Sequence, residues 1–309
     1  MCGIAGIIYR DGPHAVGDDM TKMLQSMKHR GPDSTGYALY GTPSEAFKMR
    51  ITLADTNDKR DFDFSERLLR RRSEVEGKLR SVGATVTEID ETTDYTSTFT
   101  FDFSGDLKTL ADQVESVRDT QVLSLGHSLE IVKDIGDAET VAAQYNLDKM
   151  QGTHGIGHVR MATESDVDIA GAHPYWAYPF SDVAVVHNGQ LTNYFYWRRR
   201  LERSGHRFQS ACDSEIIAVY LAEQMSEGAS LEAAMNQSME DLDGVFTYLC
   251  VTADSLGMAK DELAAKPLVL YESDNIIAVA SEEIAIREVV EGEIETYDPF
   301  EGEVMVWTR

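Results

Sequence analysis

Residues 2–8 of this 309-residue chain read Cys-Gly-Ile-Ala-Gly-Ile-Ile, an apolar run typical of a buried strand, and it begins with a cysteine. Removal of Met1 would leave Cys2 with its own free α-amine. An α-amine titrates near ~8, so it can accept the thiol proton at neutral pH and leave the attacking thiolate. Gly3 and Gly6 indicate a bulge or a close backbone approach beside a ligand. The alternative is a buried structural cysteine, a common fate of this residue type.

The composition indicates a soluble, unexported and cytoplasmic protein. Apolar residues make up 42% of the chain, enough for a substantial core, yet no apolar stretch is long enough to span a membrane. The start of the sequence lacks the pattern of a signal peptide. The net charge of −25 argues against binding to nucleic acid, which needs clustered basic residues. The three cysteines, without CxxC spacing, predict neither a disulfide framework nor a metal site.

Strand-like and helical segments divide the chain into two parts. Residues 2–41 and 151–309 contain more strands than helices, which predicts sheet layers covered by helices. Residues 42–150 follow the order strand, helix, strand, strand, helix, strand, the pattern of ferredoxin-like folds. We therefore interpret residues 42–150 as an inserted subdomain. Because it holds no dense cluster of histidine, cysteine or carboxylate, a docking or spacing role is expected for it.

Two polar clusters supply groups that attack on a carboxamide requires. Arg160, leaving the end of a predicted strand, presents a planar fork that suits a carboxylate. The alternative is an ordinary surface arginine. Asn188 and Gly189 follow an apolar strand, and there an amide side chain and a backbone N–H could form an oxyanion hole. The alternative is a plain hairpin turn, for which Asn-Gly is favoured.

A third cluster opens an apolar helix with Cys212, Asp213, Ser214 and Glu215. Asp213 could bind a substrate ammonium. The alternative is that Asp213 or Ser214 merely caps the helix.

Taken together, these clusters resemble the class II glutamine amidotransferases, whose glutaminase domain is an N-terminal-nucleophile hydrolase. The resemblance covers residues 2–40 and about 155 to the C-terminus. It implies an α+β fold, a four-layer αββα sandwich. The motifs that carry it are Met1-Cys2-Gly3-Ile4, Arg30-Gly31-Pro32-Asp33-Ser34-Thr35-Gly36, His158-Val159-Arg160-Met161-Ala162-Thr163, His187-Asn188-Gly189, Asp213-Ser214-Glu215 and Lys266-Pro267-Leu268.

The resemblance implies a role for each matched residue of the catalytic centre. Cys2 would be the nucleophile, and its α-amine would be the base that later protonates the leaving ammonia. The side chain of Asn188 and the N–H of Gly189 would hold the oxyanion.

The resemblance also implies the substrate contacts. Arg160 would bind the glutamine α-carboxylate, Asp213 its α-ammonium and Thr163 would add a hydroxyl contact, while Arg30 would support the N-terminal loop. Discrimination of glutamine from other amides would then depend on the charged pair. Two positions depart from one common form of the family pattern, with Met161 in place of Trp and Glu164 in place of His. The loop around the pocket is therefore expected to differ.

The phrase Arg-Met-Ala-Thr-Glu-Ser at residues 160–165 and the long insert are most similar to the amidotransferase-like component of N-methylglutamate synthases and related glutamate-synthase-type complexes. This resemblance implies no cofactor in this chain. It implies two partners, an FMN-binding, iron–sulfur subunit of glutamate synthase type and a β-helical subunit. The complex would use methylamine and glutamate. Two alternatives remain: a component of a plain glutamate synthase, or a structural or regulatory subunit without hydrolysis.

Overall fold

The computed structural model describes residues 2–54, 62–161 and 169–309. These residues form a mixed α/β fold of three antiparallel sheets and the helices that cover them. No helix in the described residues is long and apolar enough to cross a membrane. The strands are β1 (Gly3–Tyr9), β2 (Ser34–Tyr40), β3 (Phe47–Thr52), β4 (Thr85–Asp90), β5 (Thr96–Asp102), β6 (Gln121–Gly126), β7 (Leu129–Ile135), β8 (His154–Arg160), β9 (Tyr175–Trp176), β10 (Ala184–Leu191), β11 (Gly244–Val251), β12 (Ser255–Lys260), β13 (Val269–Glu272), β14 (Ile276–Ala280) and β15 (Val304–Thr308). The helices are α1 (Val16–Ser26), α2 (Phe64–Ser81), α3 (Leu107–Glu115), α4 (Ala138–Tyr145), α5 (Tyr194–Arg203), α6 (Asp213–Ser226), α7 (Leu231–Asp241) and α8 (Glu283–Arg287).

The N-terminal strand lies inside a six-stranded sheet of order β13-β14-β1-β8-β2-β7. All seven residues of β1 are buried because both faces of the sheet are covered. Ile4 and Ile8 point to one face and pack between the two large sheets, while Ala5 and Ile7 point to the other and pack under α1. The alternation follows directly from the period of two in a strand.

The glycines of β1 mark close contacts between layers. A Cβ on Gly6 would lie 3.0 Å from Leu249 of β11, in the facing sheet. A Cβ on Gly3 would lie 2.9 Å from Val159 and 3.3 Å from Arg30. The expected close backbone approach is therefore present. At Gly6, however, it serves sheet packing, and the pairing of β1 with β8 and β14 runs without a bulge.

The second large sheet has the order β15-β12-β11-β10-β9 and packs face to face on the first. The side chains between the two sheets are mostly apolar and include the aliphatic Ile156, Val186 and Leu249. Helices α1, α4 and α8 contact the other side of the first sheet, and α5, α6 and α7 pack on the other side of the second. This layering brings the start of β1 and the end of β8 close to β10, where the candidate site lies.

The third sheet has four antiparallel strands in the order β4-β5-β3-β6, with α2 and α3 packed on it. Its elements follow one another in the order that the sequence indicates. Strand β7 and helix α4 also lie within residues 42–150, but they belong elsewhere: β7 pairs along its whole length with β2 of the first sheet. The small sheet therefore accounts for residues 47–126, a shorter span than the predicted insert. The predicted domain boundaries otherwise stay a prediction.

Candidate active site

Cys2 lies half-buried at the start of β1, where β1 pairs with the end of β8. Its sulfur is contacted by the backbone of Met161, whose N–H donates to Sγ at 3.4 Å and whose carbonyl oxygen lies 3.8 Å away. The residue after Arg160 thus fixes the position of the thiol. The side chain is neither fully buried nor paired in a disulfide, unlike the purely structural cysteine considered from the sequence.

Asn188 brings an amide directly to Cys2. Its Nδ2 donates to the Cys2 carbonyl oxygen at 3.0 Å, and the residue is 5% exposed. An asparagine amide carries two N–H donors, so one hydrogen bond anchors the side chain and leaves a second donor beside Cys2.

Asn188 and Gly189 were expected to form a turn at the end of a strand, and this is wrong. Both lie inside β10, which pairs with β11 up to Leu191 and Gly244. Gly189 has a φ of +153°, and a Cβ there would meet the Val245 carbonyl oxygen at 2.2 Å. The glycine is therefore required by close strand pairing, not by a turn.

The backbone of β10 directs the N–H of Gly189 away from β11. The N–H of His187 donates to His173 Nδ1 at 3.2 Å, and that of Leu191 donates to Asp213 Oδ2 at 2.7 Å. Because successive N–H groups of a strand alternate in direction, the N–H of Gly189 lies on this same edge, between the other two. Its position is compatible with the predicted second donor of an oxyanion hole.

Arg30 is 9% exposed and joins Cys2 to Glu282. Its Nε donates to the Cys2 carbonyl oxygen at 3.1 Å, and its Nη1 donates to Glu282 at 2.6 Å. Burial alone would raise the pKa of Glu282, but the hydrogen bonds from Arg30 and His29 lower it below its usual value. The structure places Arg30 against Cys2, and its support of the N-terminal loop stays a prediction.

Arg160 is the last residue of β8, next to the backbone that holds the Cys2 thiol, and it is 8% exposed. Its carbonyl accepts the N–H of Asp33 at 3.1 Å. A Cβ on Gly31 would lie 2.6 Å from the Arg160 nitrogen, which explains the glycine in the Arg-Gly-Pro-Asp segment. Thr163 and Glu164 lie outside the described residues, and their roles stay predictions.

Asp213 is the first residue of α6, and the capping alternative does not describe it. Its Oδ2 accepts the N–H of Leu191 in β10, and its Oδ1 lies 3.7 Å from Nδ1 of His187. Ser214 also turns inward and hydrogen-bonds Nδ1 of His187 at 2.8 Å and Nε2 of His173 at 3.1 Å. The two side chains therefore tie the start of α6 to the strand that carries Asn188 and Gly189.

Sequence reasoning did not anticipate a buried group of histidines under the site. The rings of His158 and His173 stack with centroids 4.1 Å apart, and His187 lies beyond them. Burial lowers the pKa of His158 to about 3 and lowers the pKa of His173 and His187 as well. All three are neutral at pH 7. His158 and His187 belong to the quoted motifs, but His173 carries no sequence signal of its own.

The structure brings Arg30, Asn188 and the backbone after the end of β8 into contact with Cys2, and Asp213 contacts β10, the strand that carries Asn188. Among the residues described, no group of three or more histidine, cysteine or acidic residues is placed to hold a metal ion. The arrangement therefore offers a thiol, hydrogen-bond donors and charged side chains as its chemical means.

Comparison with known proteins gives the family of this chain. The family model described as "Glutamine amidotransferase domain" matches residues 158–288. A protein of Methanothermobacter thermautotrophicus, described as a candidate glutamine amidotransferase, is 40% identical over 99% of both chains. The chain belongs to the glutamine amidotransferase family. The glutamine amidotransferase-like protein GlxB of Rhizobium meliloti is also similar, with 34% identity over 91% of this chain and 89% of GlxB.

Among solved structures, this chain is similar to the glutamine phosphoribosylpyrophosphate amidotransferase of B. subtilis. The TM-score is 0.62 at 19% identity, and the match covers 99% of this chain and 47% of that one. This likeness supports a shared mixed α/β fold of facing sheets and helices.

Proposed function

We propose that this chain is the glutaminase subunit of a class II amidotransferase, with Cys2 as its nucleophile. The observation that carries the proposal is the convergence of Asn188 and Arg30 on the Cys2 carbonyl, at the meeting point of β1, β8 and β10. With Met1 removed, the α-amine of Cys2 takes the thiol proton. The sulfur then attacks the carbonyl carbon (Cδ) of the glutamine side-chain amide, and the bond from this carbon to nitrogen breaks as the amine passes the proton to the leaving nitrogen, which departs as ammonia. Water hydrolyses the resulting thioester to glutamate.

The charged residues around Cys2 support glutamine as the substrate. In the tetrahedral intermediate, the second N–H of Asn188 and the N–H of Gly189 stabilise the oxyanion. Arg160 takes the α-carboxylate, Asp213 the α-ammonium and Thr163 adds a hydroxyl contact. An arginine and an aspartate on separate elements recognise both charges of a free amino acid, which a side-chain amide within a protein lacks.

We further propose the four-layer αββα sandwich as the family arrangement and the small sheet as an insertion in it. The match to the B. subtilis enzyme covers 47% of that protein, so part of that enzyme lies outside the shared fold. In this proposal, ammonia passes from Cys2 to a partner subunit in the cytoplasm. The partners are an FMN-binding, iron–sulfur subunit of glutamate synthase type and a β-helical subunit. The complex is an N-methylglutamate synthase.

The chemistry at Cys2 is tested by intact mass of the purified chain before and after treatment with a diazo-ketone analogue of glutamine. We expect loss of Met1 and a single adduct that glutamine competes away and that the Cys2→Ala variant does not form. Retention of Met1 with no adduct, in the assembled complex as well, would leave a scaffold or regulatory role. Consumption of methylamine or of 2-oxoglutarate by the complex then separates N-methylglutamate synthase from glutamate synthase.

A further inference from the structure

We infer that the small sheet positions Asp213 for substrate binding by holding the loop of residues 204–212 through Arg207 and Gln209. The inference rests on the proposed function, because it assigns Asp213 to the glutamine ammonium. It gives the four-stranded sheet a role in glutamine affinity, whereas the sequence offers only docking or spacing. Arg207 and Gln209 are positioning residues, since neither reaches Cys2.

Arg207 ties the loop to α3 with both ends of its guanidinium. Its Nε donates to Asp112 at 2.6 Å, and its Nη1 pairs with Glu115. The guanidinium also lies over the ring of Tyr178, 4.0 Å from the centroid, and the Tyr178 hydroxyl donates to the same Asp112 at 2.6 Å. Glu115 is 9% exposed, so this ion pair is shielded from solvent far more than a surface pair.

Gln209 links the same small sheet to the first turn of α6. Its side chain accepts from Gln121 of β6 at 2.6 Å and donates to Glu115 of α3. Its backbone N–H donates to Glu215 Oε1 at 2.8 Å, and the N–H of Ser210 donates to the other oxygen of Glu215 at 2.9 Å. Because Glu215 follows Asp213 by two residues in α6, these hydrogen bonds couple the loop to the turn of α6 that carries Asp213.

Packing alone does not fix this loop. A cavity of about 730 Å³ lies between part of the loop and the small sheet, lined on the loop side by Phe208 and on the sheet side by Thr52 of β3. Where side chains do not fill the space between two segments, their relative position depends on the polar contacts that bridge it. Arg207 and Gln209 are such contacts, and their loss should shift Asp213 while the Cys2 thiol stays in place on β1.

The experiment compares Arg207→Gln with Arg118→Gln, a control between α3 and β6 whose arginine side chain is 91% exposed. We expect Arg207→Gln to raise KM for glutamine ~10-fold with kcat within ~2-fold, because it weakens binding and not the chemical step. The diazo-ketone analogue should label Cys2 ~10-fold more slowly, while iodoacetamide, which needs no ammonium contact, should react at the wild-type rate. Arg118→Gln should match the wild type in all four measurements.

Two further variants separate positioning from general damage to the fold. Arg207→Lys should restore part of the affinity, since it keeps the charge but cannot bridge both carboxylates. Glu115→Gln should reproduce the KM effect, and the double variant should be less than additive because both changes remove one contact. A KM unchanged in Arg207→Gln, or an equal loss of analogue and iodoacetamide labelling, would overturn the inference.

Calorimetric titration of glutamine into Cys2→Ala protein keeps the inference separate from the proposed function. In that background, Arg207→Gln should weaken glutamine binding ~10-fold, a difference of about 1.4 kcal/mol. If the wild type binds glutamine without hydrolysing it, the proposed reaction is wrong and the role of Arg207 is still decided by this titration. Equal affinity with and without Arg207 overturns the inference, and so does an absence of glutamine binding.

Discussion

At the scale of single residues, the amide of Asn188 is the group that distinguishes a catalytic Cys2 from a merely accessible one. Its removal in Asn188→Ala deletes the proposed oxyanion donor and the contact with the Cys2 carbonyl. Loss of such a donor typically costs ~10²–10³ in kcat, and we expect a decrease of that size in glutamine hydrolysis. Steady-state kinetics give the answer, with the exposed helical Asn236→Ala as the matched control. Wild-type turnover by Asn188→Ala would show that the Asn188 amide does not stabilise the oxyanion.

Gly189 permits a second prediction at this scale, on stability. In Gly189→Ala, the new methyl would overlap the Val245 carbonyl oxygen, and the backbone has a φ of +153° that alanine disfavours. We expect a loss of at least ~2 kcal/mol in the free energy of unfolding. Gly77→Ala, in α2 with open space around the site, should instead gain ~0.5–1 kcal/mol. Urea unfolding of both variants measures the contrast, and equal effects would contradict the strained geometry of β10.

At the scale of elements, Asp182 holds the turn between β6 and β7, where the chain leaves the small sheet. Its carboxylate accepts the N–H groups of His127, Ser128 and Leu129 at 2.8, 2.9 and 2.8 Å, and the residue is 6% exposed. Asp182→Ala should cost ~3 kcal/mol or more, because buried N–H groups lose their partner. The exposed Asp148→Ala should change unfolding by less than ~0.5 kcal/mol. A small effect of Asp182→Ala would mean that other contacts anchor this turn.

Strands β1 and β14, which the sequence predicts, are apolar throughout, whereas β7, which it does not predict, contains buried charged residues. The apolar runs of β1 and β14 indicate both strands from the sequence alone, because an uninterrupted run of apolar residues is a local sign of burial. Strand β7 was missed because Lys133 and Asp134 make it look like a loop. Both are 3% exposed and hydrogen-bonded to residues outside β7: Lys133 donates to the Ala172 carbonyl oxygen, and Asp134 accepts from the Tyr145 hydroxyl.

The same limit applies to the candidate site. The residue types at Cys2, Arg160 and Asp213 could be selected from the sequence, since each supplies a group that the chemistry needs. Their arrangement could not, because Asn-Gly has the same local signature in a turn as in β10. Only long-range pairing with β11 decides between the two.

At the scale of the whole molecule, buried neutral histidines make stability dependent on pH. Burial lowers the pKa of His154 to about 4 and of His158 to about 3, and it lowers those of His173 and His187. Between pH ~6.5 and ~4, the unfolded chain therefore binds more protons than the folded chain, so stability falls as the pH falls. Burial raises the pKa of Glu115 although its ion pair with Arg207 lowers it, so the folded chain keeps a proton on this carboxyl to a higher pH than the unfolded chain does, and this opposes the trend.

We expect the free energy of unfolding to decrease by at least ~2 kcal/mol from pH ~7 to ~5, since each proton contributes up to about 1.4 kcal/mol per pH unit. Urea unfolding at several pH values gives the slope. His158→Gln should reduce the slope, and the exposed, non-titrating Asn236→Ala should leave it unchanged. A stability that is constant over this range would show that these histidines do not stay neutral.

In the proposed reaction, Cys2 forms a covalent γ-glutamyl thioester. The most direct measurement is the production of γ-glutamyl hydroxamate from glutamine and hydroxylamine, because hydroxylamine intercepts the thioester before water does. We expect the protein that has lost Met1 to form the hydroxamate and the Cys2→Ala variant to form none, as the thioester mechanism requires. Hydroxamate formed equally by Cys2→Ala, or none from the wild type with a free Cys2 amine in its complex, would contradict it.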